Sequence, residues 1–265
     1  MTNQIVRLNT RALSVFNKTL ALANLLQDEN EHHPAEWFDT PEKRIRWWLD
    51  LEPQWRKAFN EAVFYHKGMA DVGTYNPTDI ELIYLFELKY LDVCGNGDFD
   101  RRNNYPNITF CLTNLAGVAN LTNLTRIDCD YNGTIASLES VQHLKKLKTL
   151  WCDNNSLTDL SPLMGLPKLK SLCCWNNQIR SVEPLASILA LSDLTLGANN
   201  HGNPIGDFSP LSHLKHLKSL YIDNCQVENL GFLSNCKKLT FVDAINNNLD
   251  RSDERNVLGD VNVWL

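Results

Sequence analysis

The sequence predicts an α/β solenoid: short strands, one per repeat, stacked on their neighbours and preceded by a helical segment. Three observations carry that expectation. A 22-residue spacing recurs, because "LKKLKTLWCDNNSLTDLSPLMG" (144–165) matches "LPKLKSLCCWNNQIRSVEPLAS" (166–187) position by position. Within each copy apolar residues alternate, as at Leu150 and Cys152, which is the pattern of a strand with one buried face. The first 87 residues show no repeat and carry apolar residues at helical spacing.

The N-terminal part, residues 1–87, is expected to be a helical cap or domain. "IVRLNTRALSVFNKTLALANLL" spaces Leu13, Phe16 and Leu20, then Leu22, Leu25 and Leu26, as a helix would, and "DENEHHPAEW" breaks it. In "DTPEKRIRWWLDL", Asp39 or Thr40 is the N-cap and Pro41 the first helical residue. Pro53 opens a further helix through "QWRKAFNEAVFYH", and Thr78 caps "DIELIYLFEL". Trp37, Trp47, Trp48 and Trp55 supply aromatic material for covering an exposed first repeat.

The repeats follow over 88–250. Beyond the matching pair, copies occur at Leu88, Leu91, Val93 and Asn96; at Leu121, Leu124, Ile127, Cys129 and Asn132; and at Leu191, Leu194, Leu196 and Asn199. Two more run through Leu214, Leu217, Leu220, Ile222 and Cys225, and through Leu239, Val242, Ala244 and Asn247, which makes seven copies. One copy cannot bury its apolar face alone, and stacked neighbours can. The recurring asparagine (132, 155, 177, 199, 247) ends each strand, where its amide satisfies backbone groups of the turn; Cys225 stands there in the sixth copy. This frame resembles the leucine-rich repeat family, of the short internalin-like bacterial type. The resemblance implies a curved horseshoe with a parallel concave sheet and tight convex returns. It also implies a bacterial source. Two copies carry loop insertions, "GDFDRRNNYPNITFC" after Asn96 and "NHGNPIGDF" after Asn199. Residues 251–265 are expected to form a C-terminal cap, with Val257, Leu258, Val261, Val263, Trp264 and Leu265 as its apolar material.

The frame also explains most of the cysteines. Cys129, Cys152 and Cys174 fall at the inward apolar position, and Cys236 falls at a leucine position, so they pack as small hydrophobes. Stacked neighbours lie about 5 Å apart with parallel Cβ vectors, which strains a disulfide. Eight reduced thiols in a cytoplasmic protein are expected.

Composition narrows the function. A net charge of −6 argues against a general affinity for nucleic acid or anionic lipid. No apolar run is long enough to span a membrane, and the N-terminus lacks a secretory h-region. No phosphate-loop, dinucleotide or nucleophile-elbow motif occurs, and "EHHPAEW" (His32, His33, Glu36) lacks metal-site spacing. No cofactor or metal is expected, and the chain is expected not to be an enzyme. An activity in the helical N-terminal part is the alternative.

The exposed strand positions point to binding. The central column reads Asp92, Asp128, Trp151, Cys173, Thr195, Tyr221 and Asp243. The column after it reads Cys94, Asp130, Asp153, Trp175, Gly197, Asp223 and Ile245, and the one before it Tyr90, Arg126, Thr149, Ser171, Asp193, Ser219 and Phe241. Seven of these 21 positions are Asp and one is Arg, with five large aromatics among them. Exposed aromatics mark anchoring sites, and the acids favour a basic protein or peptide. The alternative is that the rings pack on one another or on the cap. Lysines (Lys145, Lys146, Lys148, Lys168, Lys170, Lys215, Lys218, Lys237, Lys238) precede the strands and form a basic rim. Nucleic-acid binding through that rim is the other alternative, disfavoured because the stacking aromatics lie on the acidic face.

Overall fold

The computed structural model describes residues 38–64, 75–95, 109–198, 203–249 and 258–265. The chain divides into two compact units, Met1–Leu88 and Lys89–Leu265. The helix expected at the extreme N-terminus, His32, His33, Glu36 and Trp37 lie outside the described residues, as do Asn96 and Asn199.

The first unit contains helices α1 (Pro41–Asp50), α2 (Pro53–Ala62) and α3 (Asp79–Phe86). Each begins as its local chemistry dictates. Thr40 Oγ1 accepts from Lys43 N at 3.4 Å ahead of Pro41, and Pro53 opens α2. Thr78 and Glu81 cap α3 reciprocally, Oγ1 accepting from Glu81 N and the Glu81 carboxylate from Thr78 N. The unit buries Trp48, Trp55 and Phe59, with the Trp55 and Phe59 rings 5.1 Å apart. Arg44 ties α1 to α3 by a two-pronged pair with Asp79 (2.6 and 2.8 Å).

The second unit is one open sheet of eight parallel strands in sequence order: β1 (Tyr90–Asp92), β2 (Arg126–Asp128), β3 (Thr149–Trp151), β4 (Ser171–Cys173), β5 (Asp193–Thr195), β6 (Ser219–Tyr221), β7 (Phe241–Asp243) and β8 (Asn262–Trp264). Seven strands were expected from the repeats. The eighth comes from the segment expected to be a cap, and Val263 pairs with Val242. The middle residues Leu91, Ile127, Leu150, Leu172, Leu194, Leu220 and Val242 stand in register and are buried. Short 3-10 turns on the return side add Val118, Val141, Leu163, Leu185, Leu211 and Leu233 to the same core.

Paired asparagines divide two tasks. The first of each pair turns the chain: Asn154, Asn176 and Asn246 adopt φ of 52°, 53° and 59°, a left-handed conformation asparagine tolerates better than most residues. The second is a ladder rung. Asn177 Nδ2 donates to Cys152 O (3.0 Å) and Cys174 O (3.1 Å), and its Oδ1 accepts from Leu157 N (2.9 Å). Asn132 and Asn247 bridge neighbouring repeats in the same way. In the fifth repeat the rung is Asn203, not Asn199: it donates to Cys174 O (3.0 Å) and Leu196 O (2.7 Å) and accepts from Ile179 N (2.9 Å). The inserted residues therefore precede the rung instead of following it.

Candidate binding face

The face of the sheet opposite the core carries the three columns of candidate residues, and the register sets their neighbours. Tyr90 and Trp151, two strands apart, flank Arg126 on β2 between them. The guanidinium carbon lies 5.3 Å from the Tyr90 ring centre and 4.0 Å from that of Trp151. Arg126 also forks onto Asp128 (2.9 and 2.8 Å), which accepts from the Tyr90 hydroxyl at 2.9 Å. Burial, then the charge of Asp92 and the bond to Asp128, push the Tyr90 hydroxyl far up. Asp128, expected to be exposed, is thus buried beneath its partners.

A second aromatic group stands at the other end. The Phe241 ring lies 5.2 Å from Tyr221 and 5.2 Å from Trp264. Trp264 was expected in a cap core; pairing of Asp243 with Trp264 puts it in the central column instead, 51% exposed. Trp175, Cys173 and Thr195 occupy the stretch between the two groups and are half-buried.

The aspartates do unequal work. Asp130 Oδ1 accepts from Asp153 N and Asp153 Oδ1 from Trp175 N, both at 2.7 Å. These carboxylates stitch one repeat to the next. Burial pushes the Asp153 carboxyl up, opposed by the Cys173 thiol and the Trp175 amide. Asp223 lies over Gly197, where a Cβ would stand 2.0 Å from Asp223 Oδ1, so that column position must be glycine. Asp193 accepts from Ser192 Oγ at 2.5 Å and Asp243 from Ile245 N at 3.2 Å. Burial, and then the charge of Asp223, raise the Asp243 carboxyl. Asp92 accepts from Cys94 N at 3.3 Å. Cys94 itself, expected on the exposed face, is buried, with Sγ 3.8 Å from Asp130 Oδ2.

All eight cysteines are free. Cys129, Cys152 and Cys174 stack in consecutive repeats inside the core, with Cys152 Sγ 3.3 Å from Cys174 Sγ. Cys173 is half-buried with Sγ 3.1 Å from Asp153 Oδ2; burial and then that carboxylate push its thiol far up. Cys111 is exposed. Mild alkylation of the native protein is therefore expected to modify Cys111 first, with the other seven reacting only on unfolding. Peptide mapping of time points checks this, and early modification of Cys173 would contradict it.

Among the rim lysines, Lys145 Nζ donates to Gln142 O and Gly165 O (2.9 and 2.8 Å) and Lys146 Nζ to Asn123 Oδ1 (3.1 Å). Among the described residues no group of His, Cys, Asp and Glu is placed to hold a metal ion, and no helix is long and apolar enough to cross a membrane.

The stacked strands, asparagine rungs and 3-10 returns define a leucine-rich-repeat solenoid. A family model for leucine-rich repeats (two copies) matches residues 122–163, 145–187 and 167–213. This stretch consists of leucine-rich repeats, and the unit that contains it has the internalin-type fold. Internalin C2 of Listeria monocytogenes is 22% identical over 78% of this chain and 92% of its own, with a TM-score of 0.53. The functional domain of InlJ from Listeria monocytogenes, described as including a cysteine ladder, is 24% identical over 71% of this chain and 40% of its own (TM-score 0.50). A leucine-rich-repeat protein of Leptospira interrogans is 22% identical over 59% of this chain and 40% of its own (TM-score 0.50). None of the curated proteins matches the sequence.

Proposed function

We propose that the protein is a non-enzymatic interaction module whose exposed sheet face binds a protein or peptide segment carrying basic residues. Leucine-rich-repeat proteins generally mediate protein–protein interaction. The observation that carries the proposal here is the aromatic surface: Tyr90, Trp151, Tyr221 and Trp264 stay 37–51% exposed on a sheet whose other face buries the middle residue of each strand from β1 to β7. Large rings left in water on a rigid scaffold bind at low entropic cost. Asp92, Asp193, Asp223 and Asp243 border them and favour a basic partner. The lysine rim supports the nucleic-acid alternative less well, since Lys145 is engaged by backbone oxygens and Lys146 by the Asn123 side-chain oxygen. Eight free thiols suit a reducing compartment, and we read the cytoplasm as the site of action.

The test starts from a partner captured from native lysate and measures its binding kinetics. Replacing Trp151 and Tyr221 with alanine is expected to speed dissociation about 30-fold for each ring that acts as an anchor. Asp193→Asn with Asp223→Asn is expected to slow association and flatten its dependence on salt. If both variants keep the parental circular dichroism and bind as the parent does, the face is not the site.

A further inference from the structure

We infer that the C-terminal end of this face receives the guanidinium group of an arginine from the partner, held against Tyr221, Phe241 and Trp264 and facing Asp243. This rests on the sheet face being the binding surface and specifies what one end of it takes.

The protein contains its own template for such a site. On β1 to β3, two rings two strands apart enclose a guanidinium that forks onto the carboxylate of the strand between them: Tyr90, Arg126 with Asp128, and Trp151. The last three strands carry a variant of the arrangement in which the first ring stands two residues further along its strand: Tyr221 pairs with Asp243 as Asp92 does with Asp128, whereas Tyr90 pairs with Arg126. Tyr221 on β6 and Trp264 on β8 flank Asp243 on β7, which pairs with both in register. Asp243 holds the column position of Asp128.

The other difference lies two residues earlier. Where β2 has Arg126, β7 has Phe241, which stands 5.2 Å from each outer ring and forms the wall between them. The carboxylate therefore lacks the cation that its counterpart receives from its own strand. No ion pair or cation–ring contact of the described residues involves Tyr221, Asp243 or Trp264. Burial, and then the charge of Asp223, raise the Asp243 carboxyl, and an incoming cation favours its charged form. Tyr221 and Trp264 are 38% and 51% exposed, so the approach is open. Arginine fits better than lysine because its flat guanidinium stacks on rings and forks onto a carboxylate at once, as Arg126 does.

The experiment uses the full chain with labelled tryptophan and follows the Trp264 indole N–H resonance, assigned by its loss in Trp264→Phe. The probes are four synthetic peptides of sequence Gly-Ser-X-Ser-Gly, with X arginine, lysine, trimethyllysine or citrulline. The arginine peptide is expected to shift the Trp264 resonance saturably, with lysine about fivefold weaker and citrulline without effect. Asp243→Asn should weaken the arginine response about fivefold or more. A Trp264 resonance unmoved by the arginine peptide, or moved equally by citrulline, overturns the inference; tighter binding of trimethyllysine replaces the guanidinium with a quaternary ammonium and overturns it too. Shifts at Trp151 or Trp175 with Trp264 unmoved overturn this site while leaving the face as a peptide-binding surface. A captured partner indifferent to the Trp151 and Tyr221 substitutions counts instead against the face itself.

Discussion

Asn203→Ala is expected to destabilise the repeat unit by about 4 kcal/mol, more than Asn199→Ala does. The Asn203 side chain joins three backbone groups: it donates to Cys174 O and Leu196 O and accepts from Ile179 N, and it is 1% exposed. Alanine leaves all three without that partner in a place water does not reach, and each buried unsatisfied group costs about 1–3 kcal/mol. The cavity left by the amide adds to this. Asn203→Asp discriminates further: a carboxylate still accepts from Ile179 N but cannot donate to two carbonyls, so it should be at least as damaging as alanine. Urea unfolding followed by tryptophan fluorescence reads the loss. An Asn199→Ala variant weaker than Asn203→Ala would show that the rung is misassigned.

The misplacement of this rung shows where the sequence stops being legible. Repeat period, strand positions and inward cysteines follow from apolar spacing, because burial is enforced at each of those positions and nothing else fits. Forward from the strand, the repeat frame reaches Asn199 before Asn203. Counting backward from the next turn reaches Asn203: Asn155, Asn177 and Asn203 each lie five residues before the buried Leu160, Val182 and Phe208, and Asn132 lies six before the buried Leu138. The rung bonds back to the preceding repeat, Asn203 donating to Cys174 O and accepting from Ile179 N, and residues inserted between Leu196 and Asn203 leave those bonds in place. Strand β8 was hidden for a related reason. "VNVWL" keeps the two-residue alternation but lacks the leucines that precede every other strand, so only Val263 under Val242 reveals it. With β8 missed, Trp264 was absent from the expected binding residues, and the aromatic group at that end was incomplete. The face columns themselves were legible, but the work of each aspartate was not. Whether a carboxylate greets a partner or ties down an amide depends on a hydrogen bond across 22 or 23 residues, as from Asp153 to Trp175 and from Asp130 to Asp153.

That distinction gives the second large effect. Asp153→Lys is expected to cost about 3 kcal/mol or more, whereas Asp153→Asn stays within about 1 kcal/mol of the parent at neutral pH. The carboxylate accepts from Trp175 N at 2.7 Å and from Cys173 Sγ at 3.1 Å. Lysine has no acceptor to offer either donor, and it brings an ammonium to a place where burial already disfavours charge. Asparagine keeps one oxygen for the Trp175 amide and removes the desolvation cost of the ion. The sign of the pH dependence follows. Because burial raises the folded-state pKa of Asp153 above its ordinary 3.8, the folded protein holds this proton more tightly than the unfolded chain. Acidification from neutral pH through that raised value should therefore add stability from this site, with the gain complete below the unfolded value. The lowered carboxyls of Asp159 and Asp207 act in the opposite direction. Subtracting the Asp153→Asn unfolding curve from the parent's at each pH isolates the Asp153 contribution. A parent that instead loses stability relative to Asp153→Asn on acidification would mean that the hydrogen bonds outweigh burial at this carboxylate. Charge reversal at Asp153 is thus a test of the fold, and the charge of the proposed binding face has to be probed at Asp193, Asp223 and Asp243, whose hydrogen bonds stay within their own repeats.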